Sequence, residues 1–216
     1  MPRTSNFAPL IVTALAGLLA QGCVRPDGAH PTLPGQELFR ACVACHGTEG
    51  QGTPSVAAPP IAGLPAWYVE AQLGKFRSGL RGYHPDDAEG LRMRPMSRQM
   101  MDEAEVKAVS EYVSTLALKP QAPTLTGGDA EKGKAAYGTC MACHGDKGQG
   151  NPALKAPPIA GQADWYLLAQ LQKFKGGLRG TNPADVSGGQ MRPMSLTLAD
   201  EQAMKNVIAH IGTLPR

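Results

Sequence analysis

The sequence predicts an all-α chain made of two tandem domains that arose by internal duplication. Three observations predict it. Strand signals are weak throughout, stripes of apolar residues recur at helical spacing, and the chain overlays itself without a gap when shifted by 98 residues. Under that shift Cys42, Cys45 and His46 meet Cys140, Cys143 and His144, and Gly50-Gln51-Gly52 meets Gly148-Gln149-Gly150. Pro59 to Gly63 meets Pro157 to Gly161, Trp67-Tyr68 meets Trp165-Tyr166, Gly79 to Gly82 meets Gly177 to Gly180, and Met93 to Ser97 meets Met191 to Ser195. A period this long exceeds a solenoid unit and marks a duplicated domain.

The 216 residues allow two small domains, yet aromatics make up only 5% while Gly and Pro number 26 and 19. A loop-rich, aromatic-poor chain of this kind has little with which to fill two cores, so other material is expected to fill them. The formal net charge of +3 excludes a strongly basic nucleic-acid binder and an acidic solvating tail.

From the N-terminus, Leu10 to Ala20 is an apolar run of 11 preceded by Arg3. That suits the core of a secretory leader and falls short of a membrane span. The run ends in Ala20-Gln21-Gly22-Cys23, which resembles the lipobox of bacterial lipoproteins, with Ala20 and Gln21 departing from its usual residues. Residues 1–22 are therefore expected to be a lipoprotein-type signal peptide, Cys23 its acylation site and 23–33 a tether; ordinary signal cleavage with Cys23 incidental is the alternative. The first domain is expected over 34–119, a Pro/Gly-rich linker that cannot pack over 120–130, and the second domain over 131–216. Each domain should hold three helices, near 34–44, 64–80 and 99–117 and near 132–142, 162–178 and 197–214. Leu73 and Phe76 (Leu171 and Phe174 in the second copy) mark the middle helix. Val106, Val109, Val113 and Leu116 mark the last, as do Met204, Val207, Ile208, Ile211 and Leu214. Thr197 with Asp200 three residues on reads as a helix start. The segments 47–63 and 145–161 read as long loops.

Cys42-Val-Ala-Cys45-His46 and Cys140-Met-Ala-Cys143-His144 are both Cys-x-x-Cys-His, the signature of covalent haem c attachment. Two thiols three residues apart on a helical turn reach two vinyl groups on one porphyrin edge, and the adjacent imidazole meets the iron. A shared zinc site is the first alternative, but 94 residues separate Cys45 from Cys140 and each pair carries its own histidine. A redox-active dithiol is the second, and it has no use for the repeated histidine. The repeat filters the other histidines: His84 faces Asn182, His210 faces Tyr112, and His30 precedes the first copy. Two covalently bound haems are thus expected, with Cys42, Cys45, Cys140 and Cys143 attaching them and His46 and His144 as axial ligands.

Each copy also contains Met-Arg-Pro-Met-Ser, with Met93 and Met191 both 47 residues beyond their histidines. A thioether is a soft ligand that favours ferrous iron and makes a site for electron transfer. Pro95 and Pro193 disfavour helix at the residue before them, so these segments are expected to be extended loops. Spacing leaves open whether Met93 or Met96, and Met191 or Met194, is the ligand. Trp67, Tyr68, Trp165 and Tyr166 are candidates to hydrogen-bond haem propionates or merely to pack. Arg81, Arg94, Arg179 and Arg192 are candidates to neutralise propionates or to lie in solvent.

The duplicated Cys-x-x-Cys-His, the Pro-x-x-x-Gly loop, Trp-Tyr with its Gly-x-Arg ending, Met-x-x-Met and the terminal amphipathic helix resemble the dihaem cytochrome c4 family over about residues 33–216. The resemblance implies tandem class I cytochrome c domains, with Met93 and Met191 as axial ligands and Met96 and Met194 as alternatives. It also implies an aliphatic residue seven positions on, which Leu198 fits and Met100 does not. Resemblance to class I cytochromes implies that the Pro59 and Pro157 carbonyls accept the Nδ1 protons of His46 and His144.

The role implied is single-electron relay on the periplasmic side of a bacterial membrane, from a quinol-oxidising bc complex to a terminal haem–copper oxidase. Such a carrier has no small-molecule substrate, no nucleic acid and no catalytic acid–base pair, so it is not expected to be an enzyme. The alternative is the electron-accepting dihaem subunit of a dehydrogenase, as in flavocytochrome c sulfide dehydrogenases; a dihaem peroxidase fits less well, because two matched Met segments argue against an open axial position.

Overall fold

In a computed structural model the described residues are 32–215 together with Met1. The expected leader apart from Met1, Cys23 and the expected tether as far as residue 31 lie outside them. Residues 33–216 form one compact unit. Eight α-helices are present among the described residues: α1 (Gly35–His46), α2 (Ala66–Ser78), α3 (Ala88–Ser97), α4 (Glu103–Thr115), α5 (Ala130–His144), α6 (Asp164–Lys175), α7 (Val186–Leu196) and α8 (Glu201–Ile211). Two short 3-10 helices, Pro54–Val56 and Pro152–Leu154, and two isolated β-bridges, Thr53 with Ala58 and Asn151 with Ala156, accompany them among the described residues. The class is all-α, and the second four helices repeat the first four.

In each repeat the first helix packs against the last, α1 on α4 and α5 on α8. A glycine permits the close crossing. A Cβ on Gly35 would lie 2.1 Å from the Ala108 carbonyl oxygen, and one on Gly133 would lie 1.9 Å from that of Asn206. One turn on, Phe39 meets Tyr112 at 5.4 Å and Tyr137 meets His210 at 5.2 Å between ring centroids. His210 is thus a packing residue. The last helices bury the expected stripes, Val106, Val109 and Val113 in one and Met204, Val207, Ile208 and Ile211 in the other. They start later than Thr197 implied. Asp102 and Asp200 are the N-caps, accepting from the Glu105 and Ala203 amides, because a carboxylate satisfies the orphan donors of the first turn. Thr197 closes α7 instead, its hydroxyl donating to the Met194 carbonyl at 2.7 Å.

The structure corrects two expectations. The Met-Arg-Pro-Met-Ser segments are helical, not extended, and form the C-terminal parts of α3 and α7. Anchors at both ends outweigh the bias of the residue before proline. Asp87 and Asp185 cap the N-termini through the Gly90 and Gly188 amides, at 3.1 and 3.0 Å. Pro95 and Pro193 fall close to the C-termini, where one missing backbone bond disrupts little of the helix. Ser97 and Ser195 then tie their hydroxyls to the Arg94 and Arg192 carbonyls, at 2.7 and 2.6 Å. The last glycine of Gly-Leu-Arg-Gly seats this helix. Gly82 has φ of +66°, and a Cβ there would stand 2.2 Å from the Gly90 carbonyl oxygen.

The linker, expected not to pack, is held down. Leu125 packs against the second core. The Asp164 carboxylate accepts from the Thr124 and Leu125 amides, at 2.6 and 2.7 Å, and from the Thr124 hydroxyl at 2.8 Å.

Candidate functional site

Cys42, Cys45 and His46 occupy the last turn of α1, and Cys140, Cys143 and His144 the last turn of α5. The cysteines fall three residues apart on one helical face. Cys45 and Cys143 are exposed, Cys42 and Cys140 half-buried. Burial, with Cys45 adding to it, pushes the Cys42 thiol up to about 11, and burial likewise raises Cys140. A reactive dithiol needs the opposite, a depressed thiol pKa. No three His, Cys, Asp or Glu side chains converge as a metal cluster among the described residues, so the two pairs do not form one zinc site.

Both motif histidines are buried. Their Nδ1 atoms lie 2.8 Å from the Pro59 and Pro157 carbonyl oxygens. A carbonyl only accepts, so Nδ1 carries the proton and Nε2 presents its lone pair. Burial lowers both pKa values, against the carbonyl bond that raises them. Each imidazole is therefore neutral at neutral pH, as a metal ligand must be.

In the second repeat Cys140, Cys143, His144, Met191 and Met194 line one cavity. Its walls enclose about 1320 Å³ free of protein atoms, partly open to solvent. Tyr68, Gln72 and Lys75 of the first repeat also line it. In the first repeat Met93 packs with Cys42 against the core, whereas Met96 is 37% exposed. Met100 and Leu198 are both buried, so the first copy's departure from the family's aliphatic position leaves the packing intact.

Between the repeats lies a polar cluster. Arg81 and Arg179 are buried and stack on Phe76 and Phe174, each 4.3 Å from the ring centroid. Arg81 donates to Gln72 at 2.8 Å and to Gln170 at 3.4 Å; Arg179 donates to Gln170 at 2.5 Å and to Gln72 at 3.5 Å. Burial, then the neighbouring Arg81, lowers Arg179 to about 10. Burial also raises the Tyr68 phenol, as does Tyr166, while both arginines pull it back. The Nε atoms of Arg81, Arg94, Arg179 and Arg192 are buried without a hydrogen-bond partner. Two buried guanidiniums side by side with unmet donors call for anionic oxygen. The propionate carboxylates of a haem would supply it. The donor sets and the orphaned arginine nitrogens fit a haem in each repeat, and in the second the cavity fits one as well.

Ion pairs complete this face: Lys75 with Asp185, and Lys173 with Asp87 and Glu89. Tyr83 meets Thr181 at 2.5 Å, and Gln162 donates to the Pro60 carbonyl. Sequence reasoning missed Gln72, Lys75, Asp87 and their partners, although Gln170, Lys173 and Asp185 recur at the same 98-residue shift.

A pair of helical domains, each with a Cys-x-x-Cys-His turn, a proline carbonyl behind the histidine and methionines on a facing helix, defines a tandem c-type cytochrome. The Cytochrome c family model matches residues 33–117 and again 130–215, and the chain belongs to that family. The thiosulfate dehydrogenase electron acceptor of Stutzerimonas stutzeri (strain A1501) is 34% identical over 184 residues, covering 80% of this chain and 79% of that protein. The reduced recombinant cytochrome c4 structure from Pseudomonas stutzeri superposes with a TM-score of 0.68 at 25% identity, over 87% of this chain and 100% of that one. The thiosulfate dehydrogenase (TsdBA) of Marichromatium purpuratum gives a TM-score of 0.67 at 30% identity over 86% of this chain, which spans only 40% of that longer chain. The protein is a dihaem cytochrome, an electron carrier with two covalently bound haem c groups.

Proposed function

We propose that the protein takes single electrons from a thiosulfate-oxidising dehydrogenase and passes them, haem to haem, toward a terminal haem–copper oxidase. In this reading Cys42 and Cys45 attach one haem and Cys140 and Cys143 the other, within domains of 34–119 and 131–216. His46 and His144 are the proximal ligands, and Met93 and Met191 the distal ones. The exposure of Met96 and its neighbour's place against the core favour Met93, and the duplication carries the choice to Met191 over Met194. When bound, each haem supplies an iron that changes oxidation state by one electron. The chain orients the imidazole through a proline carbonyl, screens the iron face with apolar helices and faces the propionates with paired arginines. Export, and lipid anchoring at Cys23, would hold the carrier on the periplasmic side. No helix among the described residues is long and apolar enough to cross a membrane.

The observation that carries the relay is the pairing of two equivalent sites across one polar interface, where arginines of both repeats share the same glutamines. Similarity to a thiosulfate dehydrogenase electron acceptor over four-fifths of both chains supports the donor. A second reading, with a bc complex as donor, draws on cytochrome c4 of Azotobacter vinelandii, 28% identical over 189 residues. Stopped-flow mixing of the oxidised protein with thiosulfate dehydrogenase and thiosulfate should reduce both haems within the donor's turnover time. Reduction only by the bc complex and quinol would favour the second reading. Reduction by neither, or peroxide turnover by the protein alone, would overturn the relay.

A further inference from the structure

The helices that carry the methionine pairs are not anchored only within their own repeats. Asp185 caps α7 and Asp87 caps α3, and both carboxylates are fully buried. Each is met by a lysine from the opposite repeat. Lys75, on α2, places its Nζ 2.6 Å from Asp185 Oδ1 and 2.6 Å from the Ser187 hydroxyl. Lys173, on α6, places its Nζ 2.5 Å from Asp87 Oδ1 and 2.7 Å from Glu89 Oε2. The two arrangements superpose under the 98-residue shift, Ser187 standing where Glu89 stands. The lysine side chains are themselves only 14% and 13% exposed.

From the capping aspartate to the first methionine is six residues, about 9 Å along a helix axis. In both copies the same Oδ1 that receives the lysine also receives the first-turn amide, from Gly90 or Gly188. Those glycines have no room for rearrangement, since a Cβ on either would stand 2.2 or 2.1 Å from the carboxylate. A lysine that fixes the aspartate therefore fixes the first turn, and through a short rigid helix it fixes the methionine. Buried charges with one partner removed do not stay in place.

We propose that Lys173 is a positioning residue for the first domain's methionine site and Lys75 for the second's, so that each haem's distal ligand is set partly by the other domain. The proposal rests on the reading that Met93 and Met191 ligate iron.

The test uses the full dihaem protein with Lys173→Gln, Lys173→Arg and, separately, Met93→His. Redox titration gives the two potentials, and NMR of the reduced form gives the two ligand-methionine methyl signals. Met93→His should remove one methionine signal and so assign the first haem; retention of both signals would sink the ligation reading by itself. Lys173→Gln should then shift that same signal and lower that same potential. The expected change is about tenfold in the reduction equilibrium, ~59 mV for one electron. The second haem, in the lysine's own domain, should stay within a small fraction of this. Lys173→Arg should restore most of the signal position, and it serves if the glutamine variant fails to accumulate. A lowered potential with an unmoved methyl signal would leave only an electrostatic role and overturn positioning. So would a change confined to the second haem, an equal change in both, or no change in either.

Discussion

At the scale of single residues, the site is decided by which lone pairs and donors are left over. His46 and His144 spend Nδ1 on a proline carbonyl, which leaves Nε2 as the free ligand atom. The buried arginines spend their terminal nitrogens on glutamines and keep Nε unmet. Met93 and Met96 differ in the same way, one against the core and one 37% exposed. Replacing the distal ligand opens an iron position, whereas trimming an exposed thioether does not. Met93→Leu should therefore make the reduced protein bind carbon monoxide at about one haem per chain and lower one potential. Met96→Leu should change neither. Carbon monoxide difference spectra check both, and the reverse pattern would transfer the ligand to Met96.

At the scale of elements, the duplication made most of the fold legible. Cys-x-x-Cys-His, the apolar stripes of α4 and α8 and the aromatic pair in α2 and α6 all recur at one offset, and a recurring residue has a shared reason. What stayed hidden was the helix around Pro95 and Pro193. Local chemistry argues against helix there, while the capping aspartate, Ser97 and the close glycine contact that enforce it are visible only in three dimensions. The linker was misread for a similar reason, because Asp164 lies 40 residues from Thr124. Its carboxylate is half-buried, and that burial works against ionisation. Hydrogen bonds from Leu125 and Thr124 outweigh the burial and bring the pKa below its usual value. A depressed carboxylate stabilises above its unfolded pKa and loses that effect as pH falls through the folded value. Asp164→Asn should thus cost about 0.5–1 kcal/mol at neutral pH, a small figure because solvent screens the group. The difference from wild type should fade as the pH drops below about 4, which thermal melts across pH would show. In α5 two glycines separate close packing from mere propensity. Gly133→Ala drives a Cβ to 1.9 Å from backbone oxygen, whereas Gly138 has nothing within 4 Å and is exposed. The first should destabilise by about 2–4 kcal/mol. The second should stabilise by about 0.5–1 kcal/mol. Equal effects in denaturant unfolding would contradict the crossing.

At the scale of the whole molecule, the two halves are alike in fold and unlike in charge. Residues 23–119 carry 10 basic and 11 acidic side chains, net −1, and residues 120–216 carry 10 and 7, net +3. Buried groups do not explain this. Setting aside Lys75, Arg81, Asp87 and Glu105 leaves the first half at −1, and setting aside Lys173, Arg179 and Asp185 leaves the second at +2. A molecule with such a dipole presents its basic half to an acidic partner and its acidic half to a basic one, so a relay can keep donor and acceptor apart. Lys155 sits at the lining of the second cavity and is exposed, well placed to meet such a partner. Raising ionic strength from about 0.01 M to 0.15 M shortens the screening length from about 30 Å to 8 Å. Over that range the second-order rate of electron exchange with an acidic partner should fall several-fold. Lys155→Glu should lower the same rate at low salt and little at high salt, while Glu49→Lys, on the other half, should leave it nearly unchanged. Stopped-flow rates across a salt series decide it. If the two reversals act alike, the partner does not distinguish the halves, and the charge asymmetry has no part in directing electrons.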